Sequence, residues 1–172
     1  MARRTGGAPA RRSPARPNSG TSAIRSVMQE YADRGVFRGL NVIERPGGRM
    51  ECEFTWLLGR PMRATYDPAR SKLIFPALFP AVGSGSGVAA ELRAAVRERS
   101  TTGVPAHKRV DRRRAEFACS VSRGALSLTV EVRGSNHEYV VRRALNLIND
   151  LFLLLHQSYP DYLEAQFGLS SE

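Results

Sequence analysis

A chain of 172 residues with 42% hydrophobic and 24% charged residues has the size and balance of one folded domain, which argues against a wholly disordered chain or a membrane protein. Its net charge of +10 is unevenly placed: residues 1–20 carry +5, residues 107–114 carry +4, and everything else holds +1. Two short segments therefore hold the basicity, and an interest in polyanions, if there is one, belongs to them.

Residues 1–20 are rich in Arg, Pro, Gly, Ala and Ser and have no apolar run, so they predict a disordered tail, followed by a single domain over 21–172. No continuous apolar stretch follows Arg3 and Arg4, so an export signal is not supported and the cytoplasm is the expected location. An Arg-rich, acid-free start also fits an organellar transit peptide.

From Thr21 to Arg34, the residues Ile24, Val27, Met28 and Tyr31 form the stripe of an amphipathic helix, with Gly35 as its stop. The pattern then alternates. FRGLNVIE and MECEFTWL flank Arg-Pro-Gly-Gly as a hairpin, and MRATY and KLIF extend it into a four-strand meander punctuated by Pro and Gly. After AVGSGSG, the residues Val88, Ala89, Leu92, Ala95 and Val96 repeat at helical spacing, with Ser86 as the expected cap. A second hairpin follows, in which Ala115, Phe117, Cys119 and Val121 alternate, Arg123-Gly124 turns, and Leu126, Leu128, Val130 and Val132 alternate. Such alternation marks an antiparallel sheet covered on one face, since a parallel sheet buried on both sides would read as continuous apolar runs.

Ser135 and Glu138 have capping-box spacing and predict the start of a long helix. At 100° per residue its apolar positions from Val140 to Leu155 span an arc of about 180°, wider than the roughly 100° stripe of a surface helix. So broad a face should touch the sheet and something else. Leu153 lies alone on the polar side. Pro160 opens a short last helix, DYLEAQF, closed by Gly168.

The chemistry-bearing residues are few and scattered. Cys52 and Cys119 sit in strands as separate thiols, and neither they nor the three histidines have the spacing of a metal site. His107 lies in the basic segment, His137 in a first helical turn, and His156 near a helix end where positive charge suits the dipole. Glu51 and Glu53 share a strand face, which suits a solvated edge better than an acid pair. The Gly83-Ser-Gly85-Ser-Gly87 run has neither dinucleotide nor P-loop spacing and reads as a linker. No catalytic residue, cofactor or metal is expected, and the chain reads as a non-enzyme.

Two functional readings remain. The first is a protein-interaction module of adaptor or chaperone type, self-associating as a homodimer through surplus apolar surface at Leu147, Leu151, Leu153 and Leu154. The second is a nucleic-acid-binding accessory protein. Arg3, Arg4, Arg11, Arg12 and Arg16 in the tail, with Lys108, Arg109, Arg112, Arg113 and Arg114, would neutralise phosphates without sequence preference. No aromatic residue interleaves Lys108 to Arg114 as base stacking would favour.

The fold class expected is α+β, two layers, with helices on one face of an antiparallel meander sheet in the order α-ββββ-α-ββ-α. From Thr21 to Tyr159 this order resembles the fold of type III secretion chaperones and YbjN-like proteins. The resemblance implies binding of protein partners or of further copies of the chain, and no chemistry.

Overall fold

Because apolar side chains fall at every second strand position, a sheet built from these strands has one greasy face and one wet one. The computed structural model, which describes residues 18–168, shows that sheet. In chain order come α1 (Ser19–Asp33), β1 (Arg38–Arg45), β2 (Arg49–Trp56), β3 (Arg60–Asp67), β4 (Lys72–Pro80), α2 (Gly87–Glu98), β5 (Ala115–Ser122), β6 (Ala125–Val132), α3 (His137–Ser158) and α4 (Pro160–Phe167). The six strands pair antiparallel throughout, in the order β1-β2-β3-β4-β6-β5. The expected α+β architecture is the one observed.

The second hairpin joins the sheet through β6, which leaves β5 at the edge. Side-chain composition accounts for that choice. Leu126, Leu128, Val130 and Val132 of β6 are all buried, whereas Phe117, Cys119 and Val121 of β5 are half-buried, so the more apolar strand takes the inner position. Arg123 and Gly124 turn the hairpin with positive φ at both positions, 51° and 72°, the backbone that matches strand twist in a two-residue loop. On the wet face, Arg63 bridges Glu51 at 3.0 Å and Glu53 at 3.3 Å, so the two glutamates form part of a charge ladder.

The wide arc of α3 is covered within the chain. Val140, Val141, Ala144, Leu145, Leu147, Ile148, Leu151 and Leu155 are buried, with α1 and α2 packed beside the helix, β6 beneath it and α4 folded back on it. Phe152 and Leu154, toward the margins of the arc, are half-buried. Leu147 and Leu151, read from sequence as interaction surface, are each 1% exposed and are core residues instead. Of that set only Leu153, at 46%, faces solvent.

Two local expectations need correction. The capping box at Ser135 and Glu138 does not form: the N-cap is Asn136, without a side-chain cap bond, because its Oδ1 accepts from Arg114 and its Nδ2 donates to the Arg133 carbonyl. Glu138 turns outward to Arg142. The tail boundary at residue 20 also falls inside α1, which starts at Ser19 with Asn18 Oδ1 accepting from the Gly20 amide at 3.0 Å. Gly20 is built into the core, since a Cβ there would overlap the His137 ring.

Candidate binding cleft and the basic segment

Proline has no N–H, so a strand that meets one inside a sheet must bulge or leave its neighbour. β4 does both. Its pairing with β3 is confined to Thr65↔Ile74, Tyr66↔Leu73 and Asp67↔Lys72, and Pro76 follows shortly after. Against β6, the residues from Pro76 to Leu78 occupy the space between Phe75↔Leu128 and Phe79↔Leu126, where β6 supplies Ser127 alone. Ala77 takes a positive φ of 47° there and donates its amide to Ser127 Oγ at 3.0 Å. The bulge turns β4 away from β3 and opens the sheet between them.

The opening is a cavity of about 630 Å³. Phe54, Leu57, Met62 and Leu78 give it apolar walls, Pro61 and Pro76 stand at the parted strands, and Phe167 reaches it from α4. α4 is held there by its own contacts. Tyr162 Oη donates to the Pro80 carbonyl at 2.6 Å, Leu163 is buried, and Phe167 lies edge-on to Phe152 with ring centroids 5.6 Å apart. Burial pushes the Tyr162 phenol up to about 12, with the nearby Arg60 charge pulling the other way, so this hydrogen bond keeps its proton at any physiological pH. Arg60, the first residue of β3, lies over the Phe167 ring at 4.4 Å.

The charged residues lining the cleft are Glu53, Arg60 and Arg63, and Glu53 is tied to Arg63. Elsewhere, burial pushes the Cys52 thiol up to about 11, which leaves it unreactive. Among the described residues no three His, Cys, Asp or Glu gather as a metal ion would require.

The basic segment is partly used up by the fold. Lys108 Nζ lies 3.1 Å from Asp150, which also holds the buried Arg99. Arg109 folds back on the Val104 and Thr102 carbonyls at 2.9 and 3.2 Å. Arg112, Arg113 and Arg114 remain exposed. The aromatic residue missing from this stretch arrives from α3: Tyr139 accepts from the Asp111 amide at 2.9 Å and has Arg114 over its ring at 3.7 Å and Arg143 at 5.2 Å. Arg3, Arg4, Arg11, Arg12 and Arg16 lie outside the described residues.

Sequence reasoning thus missed Arg60, Phe167, Tyr139 and Arg143. The one available signal was the pair Pro61 and Pro76 inside neighbouring strands. No family model matches the chain, and no curated protein or solved structure matches it significantly.

Proposed function

We propose that the chain is a non-enzymatic protein-interaction module whose receiving surface is the cleft between β3 and β4. The observation that carries this reading is an apolar-walled cavity bounded by stretches of β3 and β4 that lie beyond their three paired positions. An extended segment of a partner protein fits such a place, since it meets strand edges with its backbone and the cavity with a side chain. Pro61 and Pro76 support the same reading, because prolines at open edges discourage random pairing between copies while leaving a side-chain pocket usable.

The remaining surface offers little competition. Leu58 and Leu153 are the exposed large hydrophobic residues among those described, so a homodimer through α3 would draw on Leu153 and on the half-buried Phe152 and Leu154. The proposal is in keeping with the resemblance in element order to type III secretion chaperones, a resemblance that implies protein partners. Free thiols at Cys52 and Cys119 suit a reducing compartment such as the cytoplasm. Among the described residues no helix is long and apolar enough to cross a membrane.

The test is to pan a displayed library of extended peptides against the full chain and against Met62→Arg, which fills the cleft with a charged side chain. The reading expects sequences enriched on the first protein and lost on the second. Failure to enrich any, or equal binding to both proteins, would remove it.

A second reading, accessory nucleic-acid binding, is supported by the exposed Arg112 and Arg113 together with Arg114 and Arg143 gathered at Tyr139. It uses a different surface, and its salt dependence is the test.

A further inference from the structure

The charges around the cleft are unequal in their partners. Arg63 meets two carboxylates, Glu51 and Glu53, and Glu53 meets Arg63, so these groups neutralise one another at the rim. Arg60 is different. Its Nη1 is buried without a hydrogen-bond acceptor among the described residues, although Arg60 lines the cavity. Two other arginines have a buried nitrogen in that condition, Arg25 and Arg143, but Arg25 is engaged through Nη2 with Glu44 at 2.5 Å, and neither lines this cavity.

Stacking on Phe167 occupies the guanidinium face and leaves Nη1 without an acceptor in its plane. A buried donor without an acceptor works against folding, and at Arg60 that state coincides with a place on the cavity wall, where an anionic group could approach the guanidinium. The planar fork of donors matches a carboxylate, and the apolar walls strengthen such a pair by excluding water. The adjacent unpaired edge of β3 favours a peptide over a small free acid, because a peptide supplies backbone donors and acceptors as well.

We propose that the cleft recognises an extended partner segment that places an Asp or Glu carboxylate on Arg60 and an apolar side chain against Phe54, Met62 and Phe167. This rests on the preceding reading of the cleft as a peptide site and adds the chemistry that selects the peptide. Arg60 supplies the charge and Phe167 the platform that fixes its plane. Lysine would not replace it, since an ammonium neither stacks in that way nor binds a carboxylate with two parallel bonds.

The probe is a peptide enriched on the full chain and sensitive to Met62→Arg, used in its parent form and with each Asp and Glu changed to Asn or Gln. Affinities are measured for the full-length protein, Arg60→Gln and Arg60→Lys, each with its melting temperature to show that it folds. The expected result is a loss of about ten- to a hundredfold for either arginine variant or for the amide peptide, with little further loss when the two changes are combined. Binding that is abolished by Met62→Arg but indifferent to Arg60→Gln would leave the peptide site standing and overturn the carboxylate assignment. Additive losses in the double cycle would overturn it as well, because they would show that arginine and carboxylate do not meet.

Discussion

On α3, Asp150 holds two cations from the segment that precedes β5: the buried Arg99 and, at 3.1 Å, Lys108. Burial alone would raise its pKa, but hydrogen bonds from Arg99 and Lys108 outweigh that and hold the carboxyl below its ordinary value of 3.8. Asp150→Ala strands the Arg99 guanidinium, and urea unfolding at neutral pH should show a loss of roughly 2–3 kcal/mol, less than for a fully buried pair. A depressed carboxyl contributes stability above its unfolded value and loses it as pH falls through its folded one, so the gap between the two proteins should narrow below about pH 4. His137 behaves in the opposite chemical sense with the same direction in pH. Burial under Gly20 lowers its value from 6.5, a hydrogen bond to the Ser135 backbone pulls it back in part, and Nε2 lies 2.8 Å from Tyr66 Oη. The unfolded chain therefore takes up the proton more readily, and stability should decline as pH drops below about 6.5. His137→Gln should flatten that decline in melting temperatures compared between about pH 5 and about pH 7.5, and an unchanged slope would show that another group carries it.

α3 shows what helical periodicity can and cannot tell. The arc from Val140 to Leu155 was legible because a 3.6-residue period leaves a direct trace in sequence, and Leu153 stood out for the same reason. Which elements cover the arc was not legible, since α1, α2 and α4 reach it from distant parts of the chain. Leu151→Ala should therefore act as a core truncation costing about 2–5 kcal/mol, while Leu153→Ala should stay within about 0.5 kcal/mol. Denaturant curves for the two variants distinguish this packing from a helix that saves its leucines for a partner. β4 carries the complementary lesson. Its alternation was clear only as far as Phe75, where the strand read as KLIF ends, although pairing with β6 resumes at Phe79↔Leu126. A bulge erases the period of two at the place where it makes a cleft, so the site fell in the stretch where the pattern is weakest. The Ser135–Glu138 spacing misled for a related reason: the Asn136 side chain is taken by Arg114 and Arg133, and that competition is invisible to a local motif.

Across the whole molecule, two surfaces differ in character: a cleft whose Arg60 has a buried nitrogen without an acceptor among the described residues, and a basic segment braced on Tyr139. The one-sided antiparallel sheet was legible from strand alternation, and the position of the charge from counting; the inner place of β6 and the parting of β3 from β4 depend on contacts between remote residues. If the basic segment binds nucleic acid, changing Arg112, Arg113 and Arg114 together to Gln should reduce the slope of log affinity against log salt for a single-stranded oligonucleotide by about 2, at roughly 0.7 per phosphate contact. No measurable binding of the unmodified chain at low salt would dismiss that role. Peptide binding should survive the same triple change, because the cleft lies on different strands. The account turns on where a bound segment sits, and amide spectra of the labelled full chain titrated with a peptide sensitive to Met62→Arg give that directly. Shifts concentrated at Arg60, Met62, Arg63, Ala77, Leu78 and Phe167 are predicted. Shifts gathered around Leu153 or residues 107–114, with those amides unmoved, would contradict it.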